Sequence, residues 1–438
     1  MLRRTAETKE EDMPILSDLR SLTSPQRNAV VASFLGWTLD AFDFFILVFL
    51  MKYVAEEFGT DIARVTIALT LTLAMRPLGA LIFGYAADRF GRRPTLMVNI
   101  LLYSALEFAS GFAPTLTVLI ILRALYGIAM GGEWGVGASL TMETIPPKTR
   151  GLVSGLLQAG YPAGYLLASL AFFLLFPLVG WRGMFMIGAL PALVVFYVRS
   201  NIDESPIFLA RRRNPDRSAL WRTLRRHAGL TIYTILLMTA FNFFSHGTQD
   251  LYPTFLEVQQ KFSTTTVGTI AVVYNLGAIF GGITLGLLSE RIGRRRAIVL
   301  AALFAIPVIP LWVYSSGPLM LALGAFLMQF AVQGAWGIIP AHLNELSPDE
   351  IRGTFPGFTY QLGNLLASAN ATLQAGLAER YNGDYAFALA TVVGVVAIAV
   401  ALLAGFGVEA KGVEFGKTRD ESRNGDRGWL ERDPVVSP

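Results

Sequence analysis

Residues 84–94 read GYAADRFGRRP, and residues 286–296 read GLLSERIGRRR. Two further pairs stand at the same displacement: GGEWG at 131–135 with QGAWG at 333–337, and TRG at 149–151 with IRG at 351–353. One offset of 202 residues through three separate matches marks the duplication of a half-chain unit. Chance similarity of Gly/Arg-rich loops would not keep a common spacing. The chain around these motifs is apolar. Of 438 residues, 53% are hydrophobic and 16% charged, with mean hydropathy +0.50; a soluble domain carries about 25% charged residues.

Stretches able to cross a hydrocarbon core of about 30 Å as helices recur along the sequence. Twelve are read, at roughly 28–52, 62–86, 95–112, 115–140, 150–176, 180–199, 228–257, 265–289, 296–314, 318–343, 353–376 and 384–406. The expected fold is therefore an all-α integral membrane protein, twelve transmembrane helices in two six-helix halves. Residues 28–199 would form the first bundle and 228–406 the second. A tail at 1–27, an Arg-rich linker at 200–227 and a tail at 407–438 complete the plan. The first apolar segment follows a polar stretch without a small-residue cleavage site, so no removable signal peptide is expected.

Positive charge is confined to alternate loops. Arg89, Arg92 and Arg93 follow the second segment, and Lys148 and Arg150 the fourth. The linker holds Arg211, Arg212, Arg213, Arg217, Arg222, Arg225 and Arg226; Arg291, Arg294, Arg295 and Arg296 follow the eighth segment. The intervening loops hold only Lys52, Arg64, Arg182, Lys261 and Arg380. By the positive-inside rule, both termini and the linker are expected on the cytoplasmic side of a plasma (inner) membrane. The linker arginines suit a surface segment, possible contacts being anionic lipid or water alone. A net charge of +4 concentrated in short loops is no nucleic-acid signature. With no cysteine there is neither disulfide nor thiolate site. No metal cluster, nucleophile–base motif or phosphate loop is present, so an enzyme is not expected.

In the first copy Asp88 opens a tight turn that Gly91 permits, and the arginines can bond carboxylates or helix-end carbonyls. The G-x-x-x-D-R-x-G-R-R pattern at 84–93, with its degenerate second copy, resembles the signature of the major facilitator superfamily. That resemblance implies a substrate site near the midplane between the halves and alternating access by rocking. It also implies that Asp88, Arg89, Arg92 and Arg93 act in gating, the aspartate engaging a neighbouring helix end, with Glu143 and Arg150 as partners.

Asymmetry between the copies should mark the substrate chemistry. At the common offset Asp40 faces Asn242, Asp43 faces Ser245 and Phe44 faces His246. Arg76, Arg123 and Glu133 each face an alanine: Ala278, Ala325 and Ala335. Intramembrane charge is costly and points to function. Arg76 lies about 15 Å deep at 1.5 Å per residue, so it requires an anion: a substrate carboxylate, or Asp40 or Asp43 as structural partner. Arg123 reads either as a coupling residue or as a structural ion pair, with Glu133 as its partner. Asp40 and Asp43 are candidates for a proton-titrating carboxylate.

The second half answers with FNFFSHGTQDLYPTF at 241–255. On an α-helix Asn242, Ser245, His246, Gln249 and Asp250 fall within an arc of roughly 140°, with Thr254 just outside. Such a face requires a water-filled cavity or a neighbouring helix. The pattern N-x-x-[ST]-H-x-x-Q-D-x-x-x-T resembles the seventh-helix signature of lactate/pyruvate–proton symporters in the sialate:proton symporter group. Gln361 and Asn364 resemble that group's eleventh-helix pair. The resemblance implies proton-coupled symport of a short monocarboxylate, with Arg76, Asn242, Ser245, Gln361, Asn364 and Tyr161 on the substrate. Asp40, Asp43, Arg123 and Glu133 then serve proton coupling together with His246 and Asp250, these last two nearer the outer mouth; Gln249 and Thr254 complete the motif.

A sialic acid or other sugar-acid symporter is the alternative, and bulky Phe243, Phe244, Tyr161, Tyr165 and Tyr360 argue for a small cavity. A non-transporting nutrient sensor is the alternative of another class; the short polar tails speak against it. No cofactor is expected beyond the proton as coupling ion. The expected partners are a small carboxylate, the proton and membrane lipid, in a monomer without nucleic acid.

Overall fold

The structure, a computed structural model, describes residues 21–211 and 219–416. The tail up to residue 20, Arg212, Arg213 and Arg217 of the linker, and the tail beyond residue 416 lie outside the described residues. The first four passes are α1 (Ser24–Glu57), α2 (Ile62–Phe90), α3 (Arg92–Ser110) and α4 (Leu116–Thr144). The fifth and sixth come as α5 (Arg150–Gln158), α6 (Gly160–Ile187) and α7 (Ala192–Asn201). Within α6 the backbone leaves helical geometry at Gly180, where one pass gives way to the next. Linker helices α8 (Pro206–Arg211) and α9 (Ala219–Arg226) lead to the seventh pass, α10 (Ala228–Gln249), prolonged by a π-helical turn at Phe255–Gln259. The eighth and ninth are α11 (Thr264–Ile292) and α12 (Arg294–Val313). The tenth is α13 (Pro318–Trp336) with α14 (Ile339–Leu346), the eleventh α15 (Phe355–Ala367) with α16 (Asn370–Arg380), and the twelfth α17 (Tyr385–Phe406).

Among the described residues every element is helical, as lipid demands of a chain that must satisfy its own backbone. Nine helical stretches among the described residues are long and apolar enough to cross a membrane on these grounds alone. The other passes have visible reasons to fall short. The third carries Asn99, Tyr103, Ser104 and Glu107, all buried; the sixth is merged behind the fifth at Gly180; the eleventh is broken between Ala367 and Asn370. Most helices overrun their apolar cores, α2 continuing to Phe90 and α4 to Thr144. That places Arg76 about 21 Å from the end of its helix, deeper than the apolar stretch alone suggests.

Duplication is visible in geometry as well as in sequence. The turn between second and third passes needs a positive φ, and Gly91 supplies 115°; its counterpart Gly293 supplies 99°. The next residue in each copy is an arginine buried at the start of a helix. Arg92 grips Glu143 with two hydrogen bonds of 3.0 Å, and Arg294 grips Glu345 with two of 3.0 Å. Both arginines read in the sequence as loop charges, yet they tie the third pass to the fourth and the ninth to the tenth. A carboxylate beyond each half caps the helix in turn. Glu204 accepts from the Arg92 N–H at 2.9 Å, and Glu409 from the Arg295 N–H at 3.1 Å. Burial pushes the Glu204 carboxyl above its ordinary range, although the N–H groups of Ser205, Arg92 and Arg93 pull the other way.

Candidate functional site

Between the halves lies a cavity of about 640 Å³. Its walls come from α1, α2 and α6 on one side and from α10, α11, α13 and α15 on the other. On the first, fifth, tenth and eleventh passes the lining residue nearest the arginine-rich loops is aromatic or an amide: Trp37, Gln158, Trp336 and Tyr360. The rings interlock. Trp37 stacks on Tyr161 at 5.5 Å, Trp134 backs Trp37 at 6.5 Å and Tyr360 at 4.8 Å, and Tyr360 meets Trp336 at 5.4 Å. This floor closes the cavity toward the basic face, while Phe49, Thr70, Pro253 and Ser368 carry its walls toward the opposite face.

On the second-half wall Asn242, Ser245, His246, Gln249, Asp250 and Asn364 line the cavity. His246 Nδ1 stands 3.1 Å from Asp250 Oδ1, and its Nε2 stands 3.0 Å from Asn364 Oδ1. Both ring nitrogens thus face oxygens, an arrangement that suits an imidazolium donating from each. Asn370 donates to the other Asp250 oxygen at 3.4 Å, so the network ties α10 to both pieces of the eleventh pass. Gln333 donates to Ser245 at 3.1 Å, and Gln249 donates to Gln329 at 2.9 Å. Asn242 turns its amide onto its own helix, donating to the Met238 carbonyl at 2.7 Å.

His246 touches Asn364 directly, which joins it to the eleventh pass. One expectation is corrected on this wall. Gln361 is buried behind the wall and reaches the site only through Asn364, 3.5 Å away. α10 ends at Gln249 and a new turn begins at Tyr252, so that Pro253 lines the cavity there and Thr254 does not.

The first-half wall presents one cation. Arg76 lines the cavity, donates to the Met130 sulfur at 2.6 Å and lies 5.0 Å from the Phe44 ring centroid. Neither Asp40 nor Asp43 is its ion-pair partner; among the described residues no carboxylate stands within 4.0 Å of its guanidinium. The aspartates are wholly buried and do not line the cavity. Arg123 pairs with Glu107 at 2.5 Å rather than with Glu133. Ten residues along one helix separate Arg123 from Glu133 by about 15 Å, beyond any side-chain reach. Glu133 instead borders a small void with Ser33 and Trp37 beneath the aromatic floor. Nor do Phe243 and Phe244 narrow the cavity, since Phe244 is core and neither lines it; Tyr161, Tyr165 and Tyr360 do line it.

At the basic face the halves hold each other. Asp88 accepts from the Gly353 N–H at 2.8 Å, the Thr354 N–H at 3.0 Å and the Thr354 hydroxyl at 2.7 Å. Glu290, its counterpart, accepts from the Gly151 N–H. Each carboxylate therefore caps the beginning of a pass in the other half. Gly155 and Gly282 meet so closely between the fifth and eighth passes that a Cβ on Gly155 would overlap the Gly282 carbonyl. Glu143 lies with Arg92 as expected, but Arg150 belongs to the other copy's cluster, 3.8 Å from Glu345. Arg89 is exposed beside the Phe90 ring, 5.3 Å from its centroid. The Arg93 backbone donates to Glu204. Phe415 is wedged between repeat-related arginines, Arg150 at 3.6 Å and Arg352 at 3.8 Å from its centroid.

Residues 33–263 and 251–435 each match the profile of the Major Facilitator Superfamily. The chain belongs to that superfamily. It is 30% identical to a carboxylic acid transporter protein homolog of Saccharomyces cerevisiae, over 85% of this chain and 64% of that one. The sialic acid transporter NanX of Escherichia coli is 27% identical over 90% of this chain and 96% of its own. The proton:xylose symporter XylE superposes with a TM-score of 0.74 at 16% identity, covering 90% of this chain and 98% of that one. A facilitator fold, a transporter family rather than an enzyme family, and several membrane passes follow. Glu107 escaped notice in the sequence although it stands at the common offset from Ile309, the asymmetry that singled out Arg123. Gln333 escaped because the QGAWG match it opens served only to fix the repeat, and Gln329 because it is buried behind the wall, reached through Gln249.

Proposed function

We propose that the protein is a proton-coupled symporter of a small organic carboxylate, with a monocarboxylate of the lactate/pyruvate type as its substrate. The single observation that carries this reading is the Arg76 guanidinium: it lines the cavity without a carboxylate partner, in a cavity whose other wall holds the His246–Asp250–Asn364 network. Arg76 takes the substrate carboxylate in its planar fork. Asn242, Ser245, Asn364 and Tyr161 offer hydrogen bonds around it, and Gln361 positions Asn364. His246 and Asp250 gather the proton at the cavity wall, and the buried Asp40, Asp43 and Arg123 couple it to the rocking of the halves. Bringing an anion into a negative interior costs about 2.3 kcal/mol per 100 mV; one accompanying proton cancels that term.

The basic face is the cytoplasmic one in this reading, by the positive-inside rule, so the cavity faces outward. Asp88, Arg92 and Glu143 then hold the inner gate shut, and Arg89, Arg93 and Arg150 flank it. The protein acts as a monomer in the plasma (inner) membrane. The cavity's size favours a second reading. About 640 Å³ falls in the range of roughly 300–1,000 Å³ that accommodates ligands far larger than lactate, and a sialic acid would fit.

Radiolabelled L-lactate uptake into proteoliposomes, with an inward proton gradient and with that gradient collapsed, tests the proposal. Accumulation that depends on the gradient and resists competition by sialic acid supports the monocarboxylate. Sialic acid accumulating in place of lactate moves the substrate to the second reading, and no gradient dependence with either acid removes the coupling.

A further inference from the structure

Three carboxylates and one guanidinium fill a space outside the cavity, among the first, third, fourth and sixth passes. Glu107 Oε2 stands 2.5 Å from Arg123 Nη1, and both side chains are buried. Arg123 is further held over the Tyr126 ring, 3.7 Å from its centroid, with Phe185 at 5.6 Å. Asp40 and Asp43 lie one turn apart on α1, and no described group donates a hydrogen bond to any of their four carboxyl oxygens. Gly188 of the sixth pass marks how closely the groups are assembled. A Cβ there would meet Asp43 Oδ1 at 3.0 Å and the Glu107 side chain at 2.5 Å.

Among the described residues the remaining ionisable groups facing this space are Arg76 from the second pass, Tyr103 from the third, and Tyr126 and Glu133 from the fourth, with none from the sixth. Arg76 alone belongs to both the cavity and this cluster, so it senses substrate on one side and the aspartates on the other. The nearest other cation is already engaged. A buried, unpaired carboxylate is stable only if it keeps its proton or gains a counter-ion.

We propose that Glu107 is a positioning residue for proton coupling: by holding Arg123 in an ion pair of its own, it withholds the guanidinium from Asp40 and Asp43 and leaves them to carry the proton in the outward-facing state. Freed from Glu107, the guanidinium would become the aspartates' counter-ion, and the proton would leave to solvent. Arg123 Nε, which has no hydrogen-bond partner in this state, is the donor available for that exchange. Through Glu107 the third pass therefore sets when the first pass binds its proton. This inference rests on the proton-symport reading above.

The test is Glu107→Gln in proteoliposomes, assayed with L-lactate, or with sialic acid if only that is carried. Freed Arg123 should pair with an aspartate, so protonation demands a more acidic exterior. The pH profile of uptake should move to lower pH by about one to three units. Gradient-driven accumulation should fall by about tenfold, while counterflow at equal pH stays near that of the wild type and Glu107→Asp restores the profile. An unchanged profile with full accumulation in Glu107→Gln would overturn the proposal. So would equal loss of counterflow in both variants, which would mark the pair as structural. Failure of the symport reading shows separately, as a wild type whose uptake ignores the gradient.

Discussion

The two halves share a scaffold and differ in chemistry. Both make the same glycine turn, bury the same Arg–Glu pair and send one acidic side chain onto the other half. The first half then places charge in its interior: Asp40, Asp43, Glu107, Arg123 and Glu133, with Arg76 at the cavity edge. The second half replaces the two aspartates with Asn242 and Ser245 and the other charges with alanine and isoleucine, and lines the cavity with amides and a hydroxyl around one His–Asp pair. Duplication therefore explains the gate and the helices, and the departures from it locate the chemistry. A charged half facing a polar one gives an anion one cation without a carboxylate partner, Arg76, and a hydrogen-bonded wall to close against.

The sharpest way to break this comparison is Arg76→Ala, which makes the cavity edge of the first half resemble that of the second. Uptake should fall by about 100-fold, the scale of a lost charge-assisted pair, and radiolabelled flux at saturating protein reads it directly. A smaller loss is expected on the opposite wall. His246→Asn should lower uptake by about tenfold and flatten its rise between pH 8 and about 6, because the remaining amide cannot titrate there. A pH series of initial rates checks this. Between the reciprocal clamps, Asp88→Ala should cost more than Glu290→Ala, about fivefold against twofold, since Asp88 accepts three hydrogen bonds from the other half and Glu290 one. Parallel flux assays rank the two variants. The smallest effect belongs to Phe415→Ala, under about twofold in uptake. Its signature is slower labelling of a Thr70→Cys reporter in the cavity by an impermeant maleimide, as the population leaves the outward-facing state. The chain has no cysteine of its own, so that reporter is clean.

Helices and repeat were legible because both are one-dimensional: apolar length sets a pass, and a constant offset sets the duplication. The cavity wall was partly legible for the same reason, a single helix face from Asn242 to Asp250 carrying most of one side. What failed was lateral. The partner of Arg123 lies on another helix, and nothing in the spacing of Glu107 announces that it turns toward the fourth pass. Arg150 was assigned to its own half, yet the halves interlock so that its carboxylate neighbour, Glu345, comes from the other. Pro253 at the cavity was not foreseen, because the period of 3.6 residues does not register the helix end after Gln249. The Phe415 wedge had no sequence signal, because it lies beyond the last apolar segment.

The central claim is that one cation in an uneven cavity recognises a carboxylate. Inhibition of uptake by paired competitors, each acid against its neutral amide of the same size, tests it most directly in the wild type and in Arg76→Lys. The acids should compete and the amides should not, and Arg76→Lys should weaken the acids while leaving the amides inert. Amides that compete as well as their acids in the wild type would contradict the claim, and would show that shape rather than charge selects the substrate.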